Sequence, residues 1–203
     1  MVSRLQNNLF WFDGLDRTGK SSTIQFLKER LTELGKEVVV VESKTILGVR
    51  IPTLIGNFPD EIAYMLFWQA IRLQELGTIV PALEAGKVVL CDRGPFSQLA
   101  YDWWAGLDSV FKGRQDEIYF ERSIKPATVY IFTMPYSSFI ERDDGKTVLT
   151  EKEYNKIQSS YITLGKKFAN QMDIVFVDVN KPKDEDYNSV LEHLLVRLGE
   201  ENE

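Results

Sequence analysis

The chain has 203 residues, enough for a single α/β domain whose core needs neither disulfides nor a structural metal. Lys and Arg total 24 against 30 Asp and Glu, so the formal charge of −6 gives no general attraction to a nucleic-acid backbone. A single cysteine and a single histidine exclude disulfide frameworks, cysteine metal clusters and catalytic sites that need several histidines.

Two further exclusions concern membranes and secretion. No apolar run approaches the ~20 residues that a membrane-spanning helix needs. The polar residues 1–8 lack the apolar region of a secretory signal. We therefore expect a cytoplasmic protein whose partners include no membrane and no nucleic-acid polymer.

The pattern of apolar runs predicts an α/β fold. Five short, continuous and largely β-branched runs are typical of parallel strands buried on both faces, and helix-like segments separate them. This alternation predicts a doubly wound, five-stranded parallel sheet flanked by helices, as one domain over 1–203. The predicted strands are Leu9–Phe12, Val38–Val41, Val88–Cys91, Val129–Phe132 and Ile174–Val179. The predicted helices are Ser22–Leu34, Glu61–Leu76, Ile79–Glu84, Gln98–Ala105, Glu151–Asn170 and Asp186–Leu198.

The first predicted strand continues into GLDRTGKS, which matches the GxxxxGKS phosphate-binding loop and is followed by a helix. Backbone N–H groups of such a loop, together with the helix N-terminus, bind the phosphates of a nucleotide. Lys20 would reach the β- and γ-phosphates, and the Ser21 hydroxyl would bind Mg²⁺. The predicted cofactor-binding residues are Asp16, Arg17, Thr18, Gly19, Lys20, Ser21 and Ser22.

A second polar segment follows the third predicted strand. Ligands of open parallel sheets bind at the carboxyl ends of the strands, which is where Asp92 and Arg93 stand. A carboxylate there can hold Mg²⁺, directly or through water, and a guanidinium matches phosphate oxygens. An ordinary Asp–Arg ion pair is the alternative.

Two other segments have two interpretations each. Trp68 and Arg72 share one helix face, so they could stack on a base and hydrogen-bond its edge, or be a core Trp beside a surface Arg. The polar stretch ERDDGKTVLT (141–150) suits a mobile lid or a solvated loop equally well, and we predict a lid over about 137–152.

Taken together, the motifs resemble those of the thymidylate kinase family. The first motif, FDGLDRTGKSS, is similar to the family's FEGxDxxGKST. The second, LFWQAIR followed by PALEAGKVVLCDR, is similar to LLFxxNR followed by LxxGxxVxxDR. The third, DRGPFSQLAY, is similar to DRYxxSxxAY/F. Order and spacing agree over nearly the whole chain. The resemblance implies a P-loop kinase that uses ATP and Mg²⁺ to phosphorylate a small deoxynucleoside monophosphate, dTMP to dTDP, as a homodimer.

The resemblance also implies individual roles. Asp16 would accept a hydrogen bond from the acceptor's 3′-hydroxyl, Arg93 would bind its 5′-phosphate, and Asp92 would hold Mg²⁺ through water. The base would stack on Trp68 and bond to Arg72, Ser97 would line the pocket, and Tyr101 would pack against C2′. The residues implied to be catalytic are Arg17, Lys20, Asp92 and Arg93.

Arg17 places the chain near the family's eukaryotic type, which carries an arginine inside the P-loop and lacks an arginine-rich lid. Such an arginine would neutralise charge on the transferring phosphoryl group. One departure is Glu42-Ser43-Lys44, which stands where the family has an arginine-containing RxP element, leaving Lys44 or Arg50 as substitutes. The preferred base stays open between thymine and another or a modified pyrimidine.

Three other functions compete with this prediction. A deoxynucleoside kinase would act on the unphosphorylated nucleoside, with Asp13 as its general base. A kinase for modified bases in polymeric DNA would need a local basic patch. A catalytically poor regulatory protein would bind the nucleotide without transferring phosphate.

Overall fold

The computed structural model describes residues 6–42, 45–46, 49–50, 73–97, 99–100, 124–142, 149–180 and 183–199. In chain order the strands are β1 (Leu9–Gly14), β2 (Val38–Glu42), β3 (Thr45–Ile46), β4 (Val49–Arg50), β5 (Val88–Asp92), β6 (Thr128–Thr133) and β7 (Asp173–Asp178). The α-helices are α1 (Lys20–Glu33), α2 (Val80–Glu84), α3 (Tyr136–Glu141), α4 (Glu151–Phe168) and α5 (Lys183–Leu198). A 3₁₀ turn covers Gln6–Asn8, and a π-helical turn covers Glu75–Ile79.

Five of these strands form one sheet in the order β2-β5-β1-β6-β7, and every pairing in it is parallel. This arrangement confirms the predicted α/β fold class. In the register of β1 and β5, Phe12 stands opposite Asp92, so the two predicted phosphate-binding segments leave the sheet side by side.

The central strand lies in the core because its sequence is apolar on both faces. Every residue of β1 is buried, and the ring of Phe12 stacks on that of Tyr130 at a centroid distance of 5.1 Å. The longest of the described helices, α4, covers the sheet with a buried stripe that recurs every three or four residues, through Tyr154, Ile157 and Tyr161. Both edge strands, β2 and β7, are less buried, as expected of neighbours on one side only.

Several helix boundaries differ from the prediction. Helix α1 begins at Lys20 rather than Ser22, because Gly19 takes a left-handed conformation (φ 86°) and starts the helix earlier. Helix α5 begins at Lys183, three residues before the predicted start. The predicted helices Glu61–Leu76 and Ile79–Glu84 leave a break at Gly77, but residues 73–84 are helical throughout. A π-helical turn over Glu75–Ile79, which holds one residue more than an α-helical turn, carries the helix past the glycine.

Other predictions are tested only in part or not at all. Most of Glu61–Leu76 and Gln98–Ala105 lies outside the described residues, although 99–100 are helical. The short antiparallel pair β3–β4 was not predicted. The predicted lid begins within α3 and ends in the first turn of α4, which starts with a capping box of Thr150 and Glu153. Its residues 143–148 lie outside the described part of the chain. None of the described helices combines the length and apolar character needed to cross a membrane.

Candidate nucleotide and phosphate site

The turn between β1 and α1 has the strained backbone of a phosphate-binding loop. Gly14 has φ +131°, and a Cβ there would lie 2.5 Å from the carbonyl oxygen of Phe132, so only glycine fits. Arg17 also has a positive φ, 65°, which is uncommon for a residue with a side chain. The Thr18 hydroxyl donates to the Leu15 carbonyl at 2.8 Å and ties the turn together from inside.

Lys20 begins α1, and its side chain is buried under the turn. Its ammonium group donates to the Leu15 carbonyl and, at 3.1 Å, to the Thr18 hydroxyl. Burial, with the nearby Arg93 charge, lowers the pKa of Lys20 to about 7. An anionic phosphate would reverse this effect, since a bound negative charge favours the protonated amine.

Ser21 and Asp92 provide two oxygen atoms suited to a magnesium ion. The Ser21 hydroxyl donates to the Asp92 carboxylate at 2.8 Å, which joins the first turn of α1 to the end of β5. Mg²⁺ prefers oxygen ligands and usually takes few from the protein, with phosphates and water supplying the rest. Within the described part of the chain, no three His, Cys, Asp or Glu side chains converge into a metal-binding group. The donor set therefore fits a magnesium ion shared with a nucleotide.

Arg93 follows β5 directly and has a left-handed backbone, with φ 75°. Its own N–H donates to the Phe12 carbonyl at 3.0 Å, which fixes it against the end of β1. One terminal nitrogen forms an ion pair with Asp16, whose side chain is 38% exposed, whereas that of Arg93 is only 6% exposed. Because protein groups already fix this planar cation in place, it can bind a phosphate without a further loss of side-chain conformational entropy.

Behind Arg93 lies a set of hydrogen bonds that we call the Arg93 network: Arg93, Ser97, Tyr161 and Asp13. The other terminal nitrogen of Arg93 donates to the Gly14 carbonyl (2.9 Å), the Ser97 hydroxyl (3.1 Å) and the Tyr161 hydroxyl (3.2 Å). Tyr161 donates to Ser97 at 2.9 Å, and Ser97 donates to the Asp13 carboxylate. All of these polar groups are buried, so their orientation is fixed by one another rather than by water.

Asp13 is fully buried at the end of β1. Its carboxylate accepts hydrogen bonds from the Gly94 N–H, at 3.2 and 3.3 Å, and from Ser97. Burial raises the pKa of Asp13 above its usual value, while the hydrogen bonds from Ser97 and Gly94 and the charge of Arg93 oppose that rise. Asp13 therefore joins β1 to the segment after β5.

The P-loop and the Asp16–Arg93 pair open onto one cavity of about 440 Å³, which we call the phosphate cavity. Its size lies in the range of small-molecule sites. The residues that line it are Asp16, Arg17, Gly19, Lys20, Ser21, Ser22, Asp92, Arg93, Arg142 and Tyr187.

Arg17 lies between the phosphate cavity and α3. Its guanidinium carbon stands 4.4 Å from the centre of the Phe139 ring, and one of its nitrogens donates to the Phe139 carbonyl at 3.4 Å. Arg142, at the end of α3, donates in turn to the Arg17 carbonyl (3.3 Å) and to the Val179 carbonyl (3.2 Å). The P-loop is thus joined to the helix that begins the predicted lid.

The structure brings most of the predicted site residues to one place. Of those named from the sequence, eight line the phosphate cavity: Asp16, Arg17, Gly19, Lys20, Ser21, Ser22, Asp92 and Arg93. Thr18 and Ser97 are buried beside it and hold other residues of the site. Trp68, Arg72, Tyr101 and Lys44 lie outside the described residues, and of Arg50 only the backbone is described.

Sequence reasoning missed three residues of this site. Arg142 lies in the predicted lid segment, where the sequence assigns it no role, although it lines the phosphate cavity. Tyr187 reaches the same cavity from α5, with its ring 5.3 Å from that of Phe26. Tyr161, on α4, is buried and donates to Ser97 behind Arg93. No local motif marks these residues, because only the packing of the helices brings them to the P-loop.

The parallel sheet, the strained P-loop and the convergence of Lys20, Ser21, Asp92 and Arg93 define a P-loop phosphotransferase. The comparisons with known proteins agree: a family model described as "Thymidylate kinase" matches residues 12–190. The chain therefore belongs to the thymidylate kinase family, as the motifs suggested, and is a phosphotransferase of the nucleoside monophosphate kinase type.

The chain is similar to several proteins named after this activity. It is 32% identical to the thymidylate kinase of Geobacillus thermodenitrificans over an alignment of 208 positions, which covers 93% of this chain and 90% of that protein. It is 30% identical to the thymidylate kinase of a Thermoanaerobacter species over 178 residues, 82% of this chain and 87% of the other. A probable thymidylate kinase of Thermococcus kodakarensis is 25% identical over an alignment of 207 positions, which covers 93% of this chain and 98% of that protein.

Proposed function

We propose that the chain transfers the γ-phosphoryl group of ATP to a deoxynucleoside 5′-monophosphate, with dTMP, giving dTDP, as the first candidate acceptor. The observation that carries this proposal is the phosphate cavity, onto which a donor half (Lys20, Ser21) and an acceptor half (Asp16, Arg93) both open. Family membership and the names of the relatives support the same reaction.

In the donor half, Lys20 and the loop N–H groups hold the β- and γ-phosphates of ATP. Ser21 and Asp92 are the residues that would hold Mg²⁺, directly or through water, and the ion would neutralise charge on the phosphates. Arg17 borders the phosphate cavity and supplies a cation for the phosphoryl group as it moves.

In the acceptor half, Arg93 binds the 5′-phosphate and keeps it in line with the donor. Asp16, paired with Arg93 and more exposed, accepts a hydrogen bond from the 3′-hydroxyl. Phosphoryl transfer requires little covalent chemistry from the protein, so catalysis comes from this positioning and from charge neutralisation. Trp68, Arg72 and Tyr101 stay predictions for the base and the sugar, and a homodimer stays a prediction of the resemblance.

The deoxynucleoside kinase alternative is weakened by the position of Asp13. That function needs a general base within hydrogen-bonding reach of a 5′-hydroxyl. Asp13, its candidate base, is 0% exposed, is bonded to Ser97 and Gly94, and does not line the phosphate cavity.

The test is a Mg-ATP assay with a panel of acceptors: dTMP, dUMP, dCMP, a 5-modified deoxyuridine monophosphate and thymidine. We expect a diphosphate product from at least one pyrimidine monophosphate and none from thymidine, with Lys20→Met as the inactive control. Phosphorylation of thymidine alone would replace the proposal with a deoxynucleoside kinase. Tight nucleotide binding with no product, even in a single turnover, would indicate a regulatory protein.

A further inference from the structure

We propose that Tyr161, on α4, is a positioning residue that orients the Arg93 guanidinium toward the acceptor phosphate. The inference rests on the proposed function, because it gives Arg93 a phosphate to bind. Tyr161 is 1% exposed and does not line the phosphate cavity, so any effect on the acceptor has to pass through another residue.

Three parts of the chain hold one terminal nitrogen of Arg93. Its two N–H groups are shared among three acceptors: the Gly14 carbonyl, the Ser97 hydroxyl and the Tyr161 hydroxyl, at 2.9, 3.1 and 3.2 Å. These acceptors come from the end of β1, from the segment after β5 and from α4. Because a guanidinium is planar, fixing one terminal nitrogen also sets the direction of the other, which faces Asp16.

The hydrogen bonds of the Tyr161 hydroxyl have a fixed direction. Arginine can only donate, so the Tyr161 oxygen accepts from Arg93 and its own proton points to Ser97. Ser97 then donates to Asp13, a carboxylate with no exposed surface. The buried chain therefore runs one way, from cation to anion, with Tyr161 as its second member. Removing the Tyr161 oxygen takes an acceptor from Arg93 and a donor from Ser97 at once.

The backbone of Arg93 is itself in an uncommon conformation. A positive φ (75°) is unfavourable for a residue with a side chain, and it persists only where the surroundings hold it. The bond from its N–H to the Phe12 carbonyl, at 3.0 Å, and the Arg93 network provide that restraint. A conformation maintained in this way indicates that the exact direction of the side chain matters for function.

The experiment compares Tyr161→Phe with a matched control, Tyr154→Phe. Tyr154 is equally buried on the same helix, but its hydroxyl donates to the Met134 carbonyl at 2.7 Å, away from Arg93. The measurements are KM for dTMP at saturating ATP, and calorimetric Kd values for dTMP and for thymidine. For Tyr161→Phe we expect KM and Kd for dTMP to rise about tenfold, with Kd for thymidine within about twofold of wild type.

The ratio of the two Kd values separates positioning from packing. A general loosening of the site would raise both Kd values together, and that result would overturn the inference, as would equal effects of the two tyrosine variants. Ser97→Ala interrupts the same chain at its next member and should lower the preference for dTMP over thymidine in the same way. If the wild-type protein phosphorylates no monophosphate and binds dTMP no better than thymidine, the proposed function itself fails.

Discussion

Arg17 and Arg93 share an unusual property for residues with side chains. Both have left-handed backbone conformations, with φ values of 65° and 75°, and both line the phosphate cavity. Strain of this kind concentrates at functional positions, where packing and hydrogen bonds maintain it. Each sequence motif indicated an arginine near phosphates, whereas the strain and the partners that maintain it are visible only in the structure.

At the residue scale, we expect Arg17→Ala to retain nucleotide binding but to lose about 10³-fold in turnover, as when an arginine finger is removed. Lys20 and the loop N–H groups remain, so the Kd for ADP should change little. A suitable control is Arg30→Ala, because Arg30 is a surface residue of α1 paired with Glu33. Single-turnover kinetics checks the outcome, and near-wild-type turnover would contradict the role of Arg17.

The lowered pKa of Lys20 predicts that nucleotide binding is accompanied by proton uptake. With a pKa of about 7 in the protein alone, Lys20 is mostly neutral at pH 8, and bound phosphates would raise its pKa and charge it. Binding of Mg-ADP at pH 8 should therefore take up as much as about one proton. Calorimetry in two buffers with different ionisation enthalpies measures this uptake.

The same titration at pH 6 is the control for Lys20. There the amine is already charged before the nucleotide binds, so the uptake should shrink. Equal binding enthalpies in both buffers at pH 8 would show that Lys20 does not change its protonation state.

At the scale of elements, the segment after β5 fits against β1 only because it contains a glycine. A Cβ on Gly94 would lie 2.5 Å from Cδ2 and 2.8 Å from Cε3 of the Trp11 indole, which is itself buried. This close approach lets the Gly94 N–H reach Asp13 and places Arg93 beside the P-loop. The sequence shows the glycine, but not the ring that requires it.

We expect Gly94→Ala to destabilise the protein by about 1–3 kcal/mol, the usual effect of overpacking a core. Gly77→Ala is the matched control, because a Cβ at Gly77 would meet nothing within 4 Å. It should be neutral or slightly stabilising, since alanine favours a helix more than glycine does. Urea unfolding of both variants measures the difference, and equal free energies of unfolding would contradict the predicted overlap with Trp11.

At the scale of the whole molecule, a second polar cluster lies outside the phosphate cavity, where β6 and β7 begin. One Asp173 oxygen accepts from Thr128 at 2.9 Å, pairs with Arg197 at 2.8 Å and lies 3.3 Å from Nε2 of His193. Nδ1 of His193 is 3.0 Å from the Tyr130 hydroxyl, and burial raises the pKa of that phenol well above its usual value. The side chain of His193 is only 32% exposed, because α5 packs it against the sheet.

Burial lowers the pKa of His193, while the Asp173 carboxylate opposes that effect. Below about pH 6.5 the unfolded chain therefore binds more protons at this histidine than the folded protein does, so stability falls as the pH decreases. Because His193 is the chain's only histidine, His193→Gln should flatten the free energy of unfolding between pH 5 and pH 7.

Urea unfolding at several pH values measures this effect. The wild-type slope exceeds that of His193→Gln by at most about 1.4 kcal/mol per pH unit, the limit for one proton. Parallel slopes in the two proteins would contradict a shifted pKa of His193.

The sequence by itself determined the parallel sheet, the P-loop and the segment that begins with Asp92. These features depend on local causes: continuous apolar runs, glycine spacing, and charged residues where a strand ends. Only the tertiary structure decided which side chains support the site, because Tyr161, Arg142 and Tyr187 come from helices distant in the chain and reach the P-loop through packing. Whether a polar residue is buried, as Asp13 is, or half-buried, as His193 is, likewise depends on the elements that cover it, and no local pattern encodes that cover.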